Sequence, residues 1–302
     1  MLQKYSQRCG ILQRTRIMDT ALVRAMSQLP VSVTSTADSS GNFQFKGSMD
    51  RYAFLEGQKR ESPAAERNKQ PILDVLLEYL PRGGDAAKRN GAAAVAADGT
   101  SSCPRVRPLL LEIASGSGQH AAHLAVALHE YDIQPSDVTS DLFGSIAAYT
   151  VGLSNVLLPP LLLNAAAAEE WPRAAAAAAA ASDAPTTDAA ATEAASFADA
   201  ILCVNMCHIS PLAATRGLLQ GAGVALRRGS GLLFVYGPFT VGGRHTTESN
   251  AAFDTSLRLR NPEWGYRDLK DMVAWAGEAG MEQLEVRDMP ANNFMLVFRR
   301  QP

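Results

Sequence analysis

The sequence predicts an α/β fold with a doubly wound parallel sheet, on three observations. Short, continuously apolar runs begin at Leu109, Leu157, Phe197 and Leu232, as in strands buried on both faces. Segments of helical length alternate with them, the pattern of parallel strands joined by crossover helices. At 109–120 an apolar run meets a carboxylate, then small residues with two glycines, then an alanine-rich helix opening. That is strand, tight loop and helix in succession.

Composition sets the outer bounds. Residues 1–45 and the low-complexity stretches 85–103 and 165–196 offer little apolar surface, which leaves about 200 residues, enough for one well-buried domain within 46–302. A loop lengthens at about 0.6 kcal/mol per doubling, so both stretches read as insertions that flicker between helix and coil outside the core. A formal charge of −2 supplies no global basic field, so neither nucleic acid nor an anionic membrane is an expected partner. No apolar run approaches the roughly 18 residues that a membrane span needs. Cys9, Cys103, Cys203 and Cys207 make no disulfide framework, which suits a reducing compartment. Cys203, Cys207 and His208 are spaced as metal ligands are, but Cys203 falls in an apolar strand and no metal is expected. Lys4, Arg8, Arg14 and Arg16 precede the first acid, Asp19, and the leader is rich in Ser and Thr from Ser32. A cytoplasmic protein with a loose leader or a later start fits this pattern, and so does a mitochondrial transit segment.

The chemistry of 109–120 lies in which ligand its loop accepts. Gly116 and Gly118 let a ligand approach the backbone where a Cβ would clash, and the helix behind them presents unpaired N–H groups. With Ala121 they also match the dinucleotide fingerprint, so the glycines alone do not choose. Glu112 does choose, standing just before Ala114 and Ser115 of the loop. A carboxylate there repels a polyphosphate and holds a ligand that carries an amino group, a sulfonium and ribose hydroxyls. S-adenosylmethionine has all three and is the expected cofactor; a nicotinamide dinucleotide is the alternative.

Upstream, Ser62 is a helix N-cap with Pro63 in the first turn, and Pro71 restarts or kinks the helix. Ile72, Val75, Leu76, Tyr79 and Leu80 make one apolar face that packs on the sheet. Glu66, Arg67 and Asn68 either form a solvated surface or reach over the cofactor's amino-acid end. The second strand, 131–137, ends in Asp137, about 20 residues beyond Gly116, where a carboxylate accepts a ribose diol. A helix cap is the other reading of Asp137. The third strand, 157–163, ends at Asn164, an acceptor for an adenine amino group. The fourth runs into a polar turn that sets Asn205 and His208 at the carboxyl edge, beside the switch point of the sheet where such folds bind ligands. His208 there is either a backbone-bonding turn residue or a general base.

A helix over 212–226 leads to the fifth strand, 232–236, which ends in Tyr236. The stretch 242–267 is long, polar and aromatic, with His245, Asn250, Phe253, Asp254, Trp264 and Tyr266. Segments of this kind inside a compact domain are usually functional, which makes it the candidate substrate cover; an extra surface helix over 250–260 is the plainer alternative. Asp268 caps the last helix, and strands over 282–287 and 294–300 follow. If the first of these runs parallel to the sheet and the second returns antiparallel, their turn lies on the carboxyl edge. Asn292 and Asn293 then join Tyr236 and Asn250 on the substrate side, although a simple turn role suits the Asn pair as well.

Seven blocks coincide in order: Ser62-Pro-Ala-Ala-Glu-Arg-Asn68, Leu111-Glu-Ile-Ala-Ser-Gly-Ser-Gly-Gln-His120, Gln134-Pro-Ser-Asp137, Asn205-Met-Cys-His-Ile-Ser-Pro211, Tyr236-Gly-Pro-Phe239, Ser249-Asn-Ala-Ala-Phe-Asp254 and Met289-Pro-Ala-Asn-Asn293. Together they resemble the methyltransferase-like protein 26 family, also called the domain of unknown function 938 family, over 59–300 apart from the two insertions. The resemblance implies a class I S-adenosylmethionine-dependent methyltransferase, with a Rossmann-like seven-stranded sheet of order 3-2-1-4-5-7-6 and an antiparallel strand 7. It implies no substrate. By position, Glu112 to Gly118 resembles the first cofactor motif, with Ala114 where many methyltransferases have glycine. Asp137 matches the ribose-binding acid, Asn164 stands where relatives tend to show aspartate, and Asn205 holds a fourth-strand position that is often Asp or Asn. The implied activity is methyl transfer to a small or flexible acceptor, with Asn205 and His208 positioning the nucleophile. No Asn-Pro-Pro-aromatic motif follows the fourth strand, so a cofactor-binding scaffold without catalysis is the alternative.

Overall fold

The computed structural model describes residues 53–54, 58–81, 107–174 and 196–302. The expectations for 1–45, for 85–103 and for 175–195 lie outside the described residues. Seven strands form the main sheet: β1 (Leu109–Ile113), β2 (Asp132–Asp137), β3 (Leu161–Leu162), β4 (Ala200–Val204), β5 (Leu232–Gly237), β6 (Met281–Met289) and β7 (Asn293–Arg300). Their order across the sheet is 3-2-1-4-5-7-6. β1 pairs in parallel with β2 and β4, β2 with β3, and β4 with β5. β7 runs antiparallel to both β5 and β6. That reversal sets Phe294 opposite Gly237, so the β6–β7 turn opens on the edge where β1, β2, β4 and β5 end.

Among the described residues the helices with both ends defined are α1 (Pro63–Tyr79), α2 (Gln119–Ala127), α3 (Phe143–Tyr149), α4 (Leu212–Ala225), α5 (Glu248–Arg260) and α6 (Leu269–Glu278). Because successive strand residues point to opposite faces, each apolar strand feeds two cores. Leu110, Ala200, Leu202 and Phe234 pack with Ile72 and Leu76 of α1 and Leu124 of α2. Leu111, Ile201, Cys203 and Val235 pack with Leu218 and Leu219 of α4 and Met272 of α6. Burying one such aliphatic or aromatic side chain contributes about 1.5–3 kcal/mol, which is why the central strands β4 and β5 carry no alternation of polar residues.

α1 is the brace that the site depends on. Ser62 caps it, accepting from the Ala65 N–H at 3.2 Å. The helix continues through Pro71 rather than restarting there, at the cost of the N–H that would have served the Arg67 carbonyl. At its far end Tyr79 donates to Glu285 at 2.6 Å, and Arg287 grips both oxygens of Glu78 at 2.7 and 2.6 Å.

Two expectations are corrected. β3 spans Leu161–Leu162, not 157–163, because Pro159 and Pro160 have no N–H to give a ladder; before them a single bridge joins Val156 to Ile133. The segment 165–174 is anchored in the core at three positions. Ala165, Trp171 and Ala174 are buried with α4, and Trp171 donates to the Ala165 carbonyl at 3.2 Å. Gly217 and Gly221 of α4 make room for them: a Cβ at Gly221 would fall 1.9 Å from the Trp171 ring. A lone Trp in an alanine-rich stretch anchors what composition assigned to solvent. No helix among the described residues is long and apolar enough to cross a membrane.

Candidate cofactor and acceptor site

Past Ile113 the chain turns sharply, with Ala114, Gly116 and Gly118 at φ of 57°, 53° and 88°. The left-handed region costs a residue with a Cβ about 1–2 kcal/mol, so Ala114 is a strained choice. Gly118 has a second reason to be glycine, since a Cβ there would lie 2.6 Å from the Ile146 Cα in α3. β2 fixes the loop: Asp137 accepts from the Gly116 N–H at 2.9 Å and from the Val138 N–H at 2.8 Å. Ser136 donates to the Glu112 carbonyl at 2.7 Å. Asp137 therefore stands beside the loop as expected and also holds it. Burial pushes its carboxyl above the usual carboxylate range, against the pull of the Gly116 and Val138 donors.

Glu112 is buried with incomplete hydrogen bonding. It is 1 % exposed, and its Oε2 meets no donor. Its Oε1 is 3.9 Å from His120 Nδ1. Burial first, and the like charge of Asp137 after it, push the carboxyl up to about 8 against the Ser115 hydroxyl.

Two residues that the sequence reading passed over, Gln119 and His120, bind the loop to α1. Gln119 Oε1 accepts from the Ser62 N–H at 2.6 Å and the Ser117 hydroxyl at 2.9 Å, while its Nε2 donates to Glu66 at 3.0 Å. His120 Nε2 lies 2.7 Å from Asn68 Oδ1. The available signal was two adjacent polar residues opening a helix that, His123 apart, is Ala, Leu and Val, since buried polar groups require partners. Of the Glu66, Arg67 and Asn68 cluster, then, two members are structural braces. Arg67 is exposed, and its charge reaches Tyr236.

On the acceptor side, Asn205 takes φ 57° and its N–H donates to the Tyr236 carbonyl at 2.9 Å. Gly237 faces Asn205 Oδ1 and His208 Nδ1; a Cβ there would sit 3.7 and 3.5 Å from them. Tyr236 meets the side chains of Asn68 and Asn293, and burial raises its phenol nonetheless. Asn250 donates to the Asn292 carbonyl at 3.2 Å, tying α5 to the β6–β7 turn. Asn293 donates to the Pro290 carbonyl at 3.0 Å, and Asn292 is exposed at φ 55°. Among the described residues the four non-glycine residues with positive φ are Ala114, Asn205, Ala291 and Asn292, all on this edge.

Asn164 Oδ1 accepts from the Ala166 N–H at 3.0 Å, closing its own turn. His208 sits buried in a short 3-10 turn (Cys207–Ile209), its ring centroid 6.0 Å from that of Phe253 and 6.1 Å from that of Tyr266. Burial, and then the Arg267 guanidinium, push it down to about 3. A ring so weakly basic is neutral at physiological pH and a poor general base. Arg267 is itself buried, donating to the Ser210 carbonyl at 2.6 Å. The stretch 242–267 contains the helix, which starts at Glu248, and its Phe253 and Tyr266 pack against His208. Its Asp254 accepts from the Tyr266 N–H at 2.7 Å, with His245 and Arg258 beside it. Among the described residues no group of three His, Cys, Asp or Glu is placed to hold a metal.

The family described as "Protein of unknown function (DUF938)" matches residues 84–300. The chain belongs to that family. Its fold is also that of solved methyltransferases. An O-methyltransferase family protein from Burkholderia thailandensis superposes with a TM-score of 0.54 at 16% identity, over 79% of this chain and 57% of its own. A "putative O-methyltransferase" from Nostoc punctiforme PCC 73102 does so with a TM-score of 0.53 at 15% identity, over 78% and 56%. The DUF938 chain thus spans a little over half the length of either structure. At such identities the likeness is one of fold, and the fold is Rossmann-like and methyltransferase-like.

Proposed function

We propose that this DUF938 protein is an S-adenosylmethionine-dependent methyltransferase with a small or flexible acceptor. The observation that carries the reading is Glu112, a buried carboxyl with an unsatisfied oxygen at the end of β1, beside a backbone loop in left-handed conformation. An ammonium group satisfies that oxygen and a polyphosphate cannot, so the donor set fits the cofactor's amino-acid end. When bound, the cofactor supplies a methyl group on a sulfonium, open to in-line displacement. Glu112 holds the ammonium, Ala114 to Gly118 allow close approach, and Asp137 uses its remaining lone pairs for the ribose hydroxyls. Asn205 Oδ1 and the neutral His208 ring orient the proton-bearing atom of the acceptor at Gly237. Tyr236 and Asn293 line that side, while Asn250 fixes α5 over it and excludes water. Catalysis by these residues rests on alignment and desolvation, which suits the absence of basicity at His208.

Calorimetric titration of the full chain with S-adenosylhomocysteine and, separately, with NAD tests the reading. Micromolar binding of the former alone is expected; binding of NAD alone, or of neither, overturns it. The weak basicity of His208 also favours a second reading, cofactor binding without catalysis. Binding of S-adenosylhomocysteine with no transfer of labelled methyl to any fraction of a cell extract would favour that one.

A further inference from the structure

Glu112 and His120 form a pair whose protons are set by a third residue. The amide oxygen of Asn68, Oδ1, meets His120 Nε2 at 2.7 Å. An amide oxygen only accepts, so the network assigns the ring hydrogen of His120 to Nε2 and leaves a bare lone pair on Nδ1. That lone pair faces Glu112 Oε1 at 3.9 Å, while Oε2 meets no donor at all. An ionised Glu112 would thus confront an acceptor on one oxygen and nothing on the other, inside the protein.

The remaining neighbours give it little help. Asp137 on β2 carries the same sign of charge, and Cys203 on β4 is a buried thiol. Ser115 of the loop offers one hydroxyl. From α1 and α2, Lys69 and His123 act on His120 and disfavour its protonation, with Glu66 opposing them weakly. Burial takes the Glu112 carboxyl up to about 8 and the His120 ring down to about 4, which leaves both neutral at pH 7.

We propose that Glu112 is a proton-linked binding group: it is a carboxylic acid in the ligand-free protein and takes an ammonium ligand as a carboxylate, releasing one proton for each ligand bound. The inference rests on the cofactor reading above and adds a pH control to that site. The balance is simple. The O–H bond of the Glu112 carboxyl breaks, its proton passes to the buffer, and the electron pair stays on the carboxylate that accepts the ammonium N–H.

The test is calorimetry of the full chain with S-adenosylhomocysteine between pH 6 and 7.5, where the ligand keeps its ammonium charge. One released proton predicts that Kd tightens about tenfold per pH unit, or about 30-fold across the window. At pH 7 the measured heat should differ between phosphate and Tris buffers by the enthalpy of about one proton. 5′-Methylthioadenosine shares the adenine and ribose but has no ammonium, so its affinity should stay level and separate Glu112 from any titration of Asp137. Glu112→Gln should bind S-adenosylhomocysteine more weakly, with neither the pH slope nor the proton release. Tight binding to the wild type with a level pH profile and buffer-independent heat overturns the linkage alone. No binding at any pH overturns the cofactor reading and the linkage with it.

Discussion

The two edges of the sheet each hold an acid, half-buried Asp199 at one and buried Glu112 at the other, and they treat it in opposite ways. At the amino edge Asp199 accepts from the Leu109 N–H at 2.8 Å and lies 2.9 Å from Arg227 Nε, a charge contact rather than an aligned hydrogen bond. Asp132 has Arg107 within 3.4 Å, and the Gly229 N–H donates to the Arg300 carbonyl at 3.0 Å. At the carboxyl edge Glu112 has an oxygen without a donor, and the backbone is strained at Ala114, Asn205, Ala291 and Asn292. The first edge sets its acids against guanidinium groups and backbone donors and serves stability, although Arg227 Nε and Arg300 Nε make no aligned hydrogen bond. The second retains strain and an open valence, which a fold tolerates where a ligand completes the structure.

The contrast can be broken most forcefully at the glycines. Gly118→Ala places a Cβ 2.6 Å from the Ile146 backbone at φ 88°, and should cost about 3 kcal/mol or more, read as loss of folded protein on expression or in urea. Gly229→Ala at the amino edge has φ 74° but nothing nearer than 4.0 Å, so backbone strain alone, about 1 kcal/mol, should remain. Equal losses would show that the carboxyl-edge turn is no more tightly built than the other.

The pH dependence of stability sharpens the comparison next. The Glu112 carboxyl is raised to about 8 in the folded protein from 4.5, so its contribution is complete below pH 4.5 and is lost as pH rises through 8. His120 and His208 are depressed to about 4 and about 3 from 6.5, so theirs is complete above pH 6.5 and is lost as pH falls. Ligand-free protein should therefore be most stable near pH 6.5 and lose on the order of 2 kcal/mol by pH 8. Glu112→Gln should abolish the alkaline loss in urea unfolding. Persistence of the loss in that variant would mean that another group titrates.

A smaller effect is expected at Asp199. Asp199→Ala strands the Leu109 N–H and should cost about 1–2 kcal/mol with no change in S-adenosylhomocysteine affinity. Weakened binding in that variant would remove the division of labour between the edges. Asp137→Ala tests both at once, because Asp137 holds two loop N–H groups: stability should fall by about 1–3 kcal/mol and affinity with it.

What the sequence determined by itself was everything that local pattern encodes. The apolar runs mark the strands, the glycine loop marks the crossing into α2, and the carboxylate before it marks Glu112, since each depends on periodicity and residue type within a few positions. Pairing partners were another matter. β3 was shortened by two prolines that an apolar count ignores, and Trp171 was drawn into the core by glycines of α4 that lie far along the chain. His208 lost its basicity to burial beside the rings of Phe253 and Tyr266, and then to Arg267. Glu112 acquired its meaning from donors that do not reach it and from a histidine turned by Asn68. Whether a buried group is charged, neutral or open to a ligand depends on the dielectric and the hydrogen-bond partners around it, and packing brings those from distant parts of the chain. The tertiary structure alone decides them.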